Sequence, residues 1–238
     1  MFFQTNVAWY FQIWPWIGLG GAISILILLF TTNILRSNFN QNRWLDPFWL
    51  AWLCNAAYLI HNVEEYGIDL TGRSYGFPQS IAELAGKAPG GMFFVAVNIT
   101  MFWIAGPLAA VLARYKGSKM LASAMASIMF INAITHTLPA IITKSYDTGL
   151  LTALIIFFPI TLWTYYVIFI RTNKNYRALC TSISLGLFYH IMLFVSILGL
   201  FKPGIAGTNI VALIMFFGAF LYVYLADFSN KLLYQQTD

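Results

Sequence analysis

Residues 47–66 read PFWLAWLCNAAYLIHNVEEY. The stretch Pro47–Ile60 is almost wholly apolar. Asp46-Pro47 ahead of it combines an N-cap residue with proline at the first helical position. A helix of about 20 such residues crosses a hydrocarbon core of roughly 30 Å. This one ends in His61-Asn62-Val63-Glu64-Glu65, and ionisable side chains inside a membrane helix are expensive enough to imply a purpose. At about 100° per residue, Glu64 falls about −60° and Glu65 about +40° from His61, so all three project from one face. With a rise of about 1.5 Å per residue, His61 lies roughly 21 Å and Glu65 roughly 27 Å beyond Pro47. His61 is therefore inside the membrane and Glu65 approaches an interface. Adjacent carboxylates repel, so a proton or a cation must neutralise one of them.

The rest of the chain has the same character. Of 238 residues, 60% are hydrophobic and 9% charged, against about 25% charged in an ordinary soluble domain. Apolar runs predict seven helices, at Trp14–Leu35, Pro47–Tyr66, Gly91–Ala113, Met120–Ile142, Gly149–Ile170, Ala178–Leu200 and Asn209–Ser229. The fold expected is all-α, a polytopic membrane helix bundle forming a single integral membrane domain over 1–238.

The net charge of +5 comes from basic residues lying between apolar runs, with no interleaved basic and aromatic patch. Nucleic-acid binding is thereby excluded. Nine of the 13 Lys and Arg fall on one side of the seven-helix arrangement: Arg36, Arg43, Arg114, Lys116, Lys119, Arg171, Lys174, Arg177 and Lys231. Arg73, Lys87, Lys144 and Lys202 fall on the other. The positive-inside rule then puts the N-terminus outside and the C-terminus in the cytoplasm, with a bacterial cytoplasmic (inner) membrane as the expected location. No positive n-region precedes Arg36, so the first apolar run is expected to stay as a membrane helix rather than be cleaved. Trp9, Trp14, Trp16, Trp44 and Trp49 flank helix ends and read as an interfacial belt. Cys54 and Cys180 read as small buried apolar residues. The longest break, Gly67–Gly90, is a lid, an interfacial segment or a solvated loop.

The chain has three histidines. His136 lies about 24 Å above Met120 and His190 about 18 Å above Ala178 by the same rise. Together with His61 they occupy the second, fourth and sixth helices at similar depth toward the outer side. Three imidazoles and two carboxylates at one level suit Zn²⁺ or non-haem iron, with His61, His136, His190 and Glu64 or Glu65 as ligands. The plainer alternative is that each histidine bonds a neighbouring helix while the acids face a vestibule. Asn98, Asn132, Tyr58 and Tyr146 are supporting polar groups, with helix–helix hydrogen bonding the simpler role for each.

At these residues the chain resembles a family of membrane proteins named for its HXXEE motif. The match is His61-Asn62-Val63-Glu64-Glu65 followed by Tyr66. The family's further histidine and Tyr-x-Pro-Gly element resemble His136 and Tyr146–Gly149, continuing through Leu150-Leu151-Thr152-Ala153, although Thr148 replaces the proline. Phe201–Gly204 keeps Pro-Gly but lacks the tyrosine, which makes His136 the better match than His190. The resemblance covers most of the second to fifth helices. It implies a multi-helix membrane fold and a site, without an established activity.

The function these features favour is a membrane-embedded enzyme acting on a lipid or other hydrophobic small molecule. Glu64, Glu65, His61 and His136 would carry the chemistry. That chemistry is metal-assisted hydrolysis or oxidation, or metal-free acid–base isomerisation or cyclisation. A proton-coupled transporter or carrier and a structural assembly partner are the alternatives. A relay should continue toward the cytoplasm, where these helices show no comparable run of ionisable groups.

Overall fold

The computed structural model describes residues 8–172 and 174–234, and every regular element among them is helical. They are α1 Tyr10–Thr31, α2 Pro47–Asn62, α3 Gly76–Ala85, α4 Gly91–Lys116, α5 Ala124–Thr143, α6 Leu150–Ile170, α7 Tyr176–Phe201 and α8 Thr208–Tyr234. Among the described residues the sole β pairing is an isolated bridge between Ile68 and Ser74. Six helices are long and apolar enough to cross a membrane: α1, α4, α5, α6, α7 and α8.

α2 is not one of the six: it has 16 residues and carries Asn55, His61 and Asn62. Trp49, Leu50, Cys54, Ala56 and His61 are all fully buried. The helix packs on α1, α4, α5 and α6. Its side chains face protein instead of lipid, so polar residues are accommodated where partners await them. The N-cap forms as expected: Asp46 accepts from the Phe48 and Trp49 amides at 3.0 and 3.4 Å, and also from Ser37. Trp49 belongs to this core and not to an interfacial belt, its indole donating to the Leu29 carbonyl at 3.1 Å. Trp14 is likewise buried against Tyr66, leaving Trp9 and Trp44 exposed. Cys54 is buried, while Cys180 is exposed, contrary to the expectation for it.

α1 begins before Trp14 and stops at Thr31. The Thr31 and Thr32 hydroxyls bond the Ile27 and Leu28 carbonyls, and Thr32 turns to extended backbone. Between α5 and α7 the backbones approach closely at Gly186, where a Cβ would collide with the Ser127 carbonyl. At the other end of the bundle Lys116 pairs with Asp227 at 2.7 Å.

Past Asn62 the helix widens into a π-turn, Val63–Gly67, which holds Glu64 and Glu65. Further π-segments interrupt α4 at Ile99–Ala105, α6 at Ala153–Phe157 and Tyr166–Ile170, and α7 at Val195–Phe201. Such bulges recur at functional sites, because they re-aim side chains without ending the helix. The Gly67–Gly90 break is neither featureless nor detached: α3 lies within it and buries Pro78, Ile81 and Ala85.

Candidate functional site

The site forms where the C-terminal end of α2, the C-terminal half of α5 and the first turn of α6 meet. His61, Glu65 and His136 converge there, and one ligand atom from each lies within 4.8 Å of the others. Glu65 is the hub. Its Oε1 is 3.4 Å from His61 Nε2 and 3.1 Å from His136 Nε2. The two imidazole centroids are 5.2 Å apart, and all three side chains are buried.

Glu64 points elsewhere. The straight-helix angle placed it on His61's face, but the π-turn rotates it toward α6. It accepts from the Leu151 and Thr152 amides at 3.0 and 2.8 Å, from the Thr152 hydroxyl, and from the Tyr146 hydroxyl. It thus caps the N-terminus of α6, where free amides and the helix dipole favour an anion. Burial and the Glu64 carboxylate together raise the Tyr146 phenol above its usual range, which keeps it a proton donor.

Thr152 links the two halves of the site. Its single hydroxyl proton goes to Glu64 Oε2, so its oxygen accepts from His61 Nδ1 at 2.6 Å. His61 then carries a proton on Nδ1, and its Nε2 faces Glu65. Nε2 is buried and closes no hydrogen bond. An imidazole lone pair facing a carboxylate needs a proton or a metal ion between them. A histidine oriented through its second nitrogen by a chain ending in a carboxylate is how metal-binding imidazoles are held. Phe157 and Tyr58 pack against the His61 ring, at centroid distances of 4.4 and 5.5 Å.

His136 is held by different means. Gly149, at φ +96°, lies flat against its ring, and a Cβ there would stand 2.7 Å from Cε1. Asp147 Oδ2 is 3.5 Å from His136 Nδ1, a contact that closes no hydrogen bond. Beyond it, Asp69 ties the loop together, accepting from Thr71, the Arg73 amide and Thr148. Burial alone would raise the Asp69 carboxyl, but these hydrogen bonds outweigh it and hold the group below its ordinary value.

His190 does not join the cluster. Its Nδ1 donates to the Gly186 carbonyl of its own helix at 2.9 Å. It lines a chamber of about 30 Å³ beside the cluster with Glu65, Asn98, Asn132 and Tyr189. Asn98 bonds the Phe94 carbonyl of its own helix, where a bond to another helix was expected, and Asn132 Oδ1 is buried without a partner. Tyr58 stacks on Phe102 at 3.5 Å. Thr152 and Asp147 were not singled out from their residue types, since a lone threonine or aspartate at a helix start reads as a cap. Only the fold brings them to the histidines.

No curated protein and no solved structure matches the chain. A family model described as a protein of unknown function with an HXXEE motif matches residues 52–164. That span contains His61, Glu64, Glu65, His136, Asp147 and Thr152, and excludes His190. Over the stretch that builds the site, the chain matches the HXXEE-motif family.

Proposed function

We propose that this is a membrane-embedded enzyme in which His61, Glu65 and His136 hold a divalent metal ion, Zn²⁺ or non-haem iron, and act on a lipid or other hydrophobic small molecule. The observation that carries the reading is the buried, unbonded His61 Nε2 facing Glu65, beside His136, with His61 Nδ1 anchored through Thr152 to Glu64. With ligand bonds of about 2 Å, neighbouring ligand atoms on a tetrahedral ion stand about 3.3 Å apart. The two contacts to Glu65, 3.1 and 3.4 Å, have that spacing. Three protein ligands leave a position open, the pattern of catalytic rather than structural sites.

A bound ion would polarise a substrate oxygen or lower the pKa of a bound water. The chain's own part is to orient and enclose. Thr152 and Glu64 fix His61, Gly149 fixes the His136 ring, and Phe157 and Tyr58 exclude water from one side. Asp147 stands where it can take up or return a proton at His136 Nδ1.

In this reading all seven long helices cross the membrane, α2 among them as the inner one. The N-terminus is outside, and the basic residues face the cytoplasm of a bacterial inner membrane. The polar cluster then sits toward one side, which suits a site better than a transmembrane relay. Metal content of protein purified in detergent and washed free of adventitious ions is the test. Near one ion per chain is expected, removed by a strong chelator and restored by Zn²⁺ or Fe²⁺. Protein without metal that neither takes up nor retains either ion would reduce the reading to metal-free acid–base chemistry at the same residues.

A further inference from the structure

Beside His136 lies a cavity of about 470 Å³, in the range of about 300–1,000 Å³ that small-molecule sites occupy. It runs between α3 and the last turns of α5. Phe77, Ile81 and Leu84 of α3, Pro139 of α5 and Phe194 of α7 make its apolar wall. Leu84 on this wall is more than half exposed, so the apolar side of the cavity reaches the surface of the bundle.

The opposite rim is polar. Among the described residues Arg73 is the only lysine or arginine lining the cavity, and its guanidinium is already engaged by Asp69 at 3.3 Å and by Thr148. Glu83 and Asp147 also line it; neither pairs with a lysine or arginine among the described residues, and Asp147 Oδ2 faces His136 Nδ1 at 3.5 Å. Lys87 instead lies over the Phe201 ring. At the inner end His136 Nδ1 is buried and closes no hydrogen bond.

We propose that this cavity binds an amphiphile with one alkyl chain and a cationic amine head. The chain lies along Phe77, Ile81, Leu84 and Phe194, and the ammonium is held by Glu83 and Asp147. The bonds next to the head then lie against His136. This names the substrate class for the enzymatic reading above and rests on that reading only for the claim that the bound molecule is turned over; binding stands on the cavity alone. An anionic head is disfavoured, since it would face two carboxylates with the single arginine occupied.

The test compares dodecylamine, dodecanol and dodecanoate, matched in chain length, for binding to the purified full chain at neutral pH by native mass spectrometry. Dodecylamine should bind at least about tenfold more tightly than dodecanol, as one charge-assisted hydrogen bond provides. Dodecanoate should bind most weakly. Glu83→Gln, an exposed substitution that leaves the core untouched, should remove part of the amine preference. Adding Asp147→Asn should remove the rest while dodecanol binding stays within about twofold. Equal binding of amine and alcohol, tighter binding of dodecanoate, or an amine preference that survives both substitutions would overturn the assignment. Metal content of the same preparations reads the centre separately. Ion retained with no amine preference sinks only the cavity's assignment. An amine preference without ion sinks only the metal reading.

Discussion

The orientation of His61 is set by a hydroxyl hydrogen-bonded to the Glu64 carboxylate. Because Thr152 gives its one proton to Glu64, His61 donates through Nδ1, and its other nitrogen is aimed at Glu65. Thr152→Val keeps the shape of the side chain but frees that tautomer. Metal affinity, measured by competition with a chelator, should fall about 10–100-fold. Removing a ligand is harsher: Glu65→Gln or His136→Gln should abolish stoichiometric binding. His190→Gln should leave it intact, because His190 bonds its own helix and is not one of the three converging ligands. Loss of metal in that variant as in the others would restore a three-histidine centre. The residue types of the site were legible in the sequence, since histidine and glutamate stand out in apolar runs. The division of labour between Glu64 and Glu65 was not. Adjacent and identical, they are told apart only by the π-turn, which sends one to α6 and the other to the histidines.

At the level of elements, the site depends on how the loop and first turn of α6 seat against α5. Gly149 is the tightest point, with its left-handed backbone and the His136 ring against it. Gly149→Ala should destabilise the protein by about 1–2 kcal/mol from backbone strain alone. It should also weaken metal binding by moving His136; a thermal shift in detergent with metal titration reads both. The Asp69 loop has its own pH signature. A carboxyl held below its ordinary value in the folded state adds stability above that value and loses it as pH falls through the lower one. The stability difference between the native chain and Asp69→Asn should therefore be full at about pH 6 and vanish on acidification below the ordinary aspartate value of about 3.9. A difference that stayed constant to acid pH would mean these hydrogen bonds do not depend on the charge. Helix positions were legible to within a few residues, because lipid demands long apolar runs. α3 was not, being short and amphipathic in a stretch whose Gly and Pro residues read as loop.

Over the whole molecule, the two kinds of helix differ in what solvates them. Among the described residues, six are long and apolar enough to cross a membrane. α2 is solvated by the other helices, so the same burial that lowers its apolarity makes it the carrier of the site. If it crosses as the seventh helix, as the alternation of basic residues requires, tags at the two termini should be accessible from opposite sides of intact cells. Both tags on one side would mean that one helix does not cross. The central claim is a metal ion among His61, Glu65 and His136, and the most direct measurement is anomalous X-ray scattering from crystals of the metal-loaded protein, at the absorption edge of the ion it carries. The account predicts a single strong peak within about 2.0–2.2 Å of His61 Nε2, His136 Nε2 and a Glu65 carboxylate oxygen. A peak elsewhere in the molecule, or none between these three side chains, would contradict it.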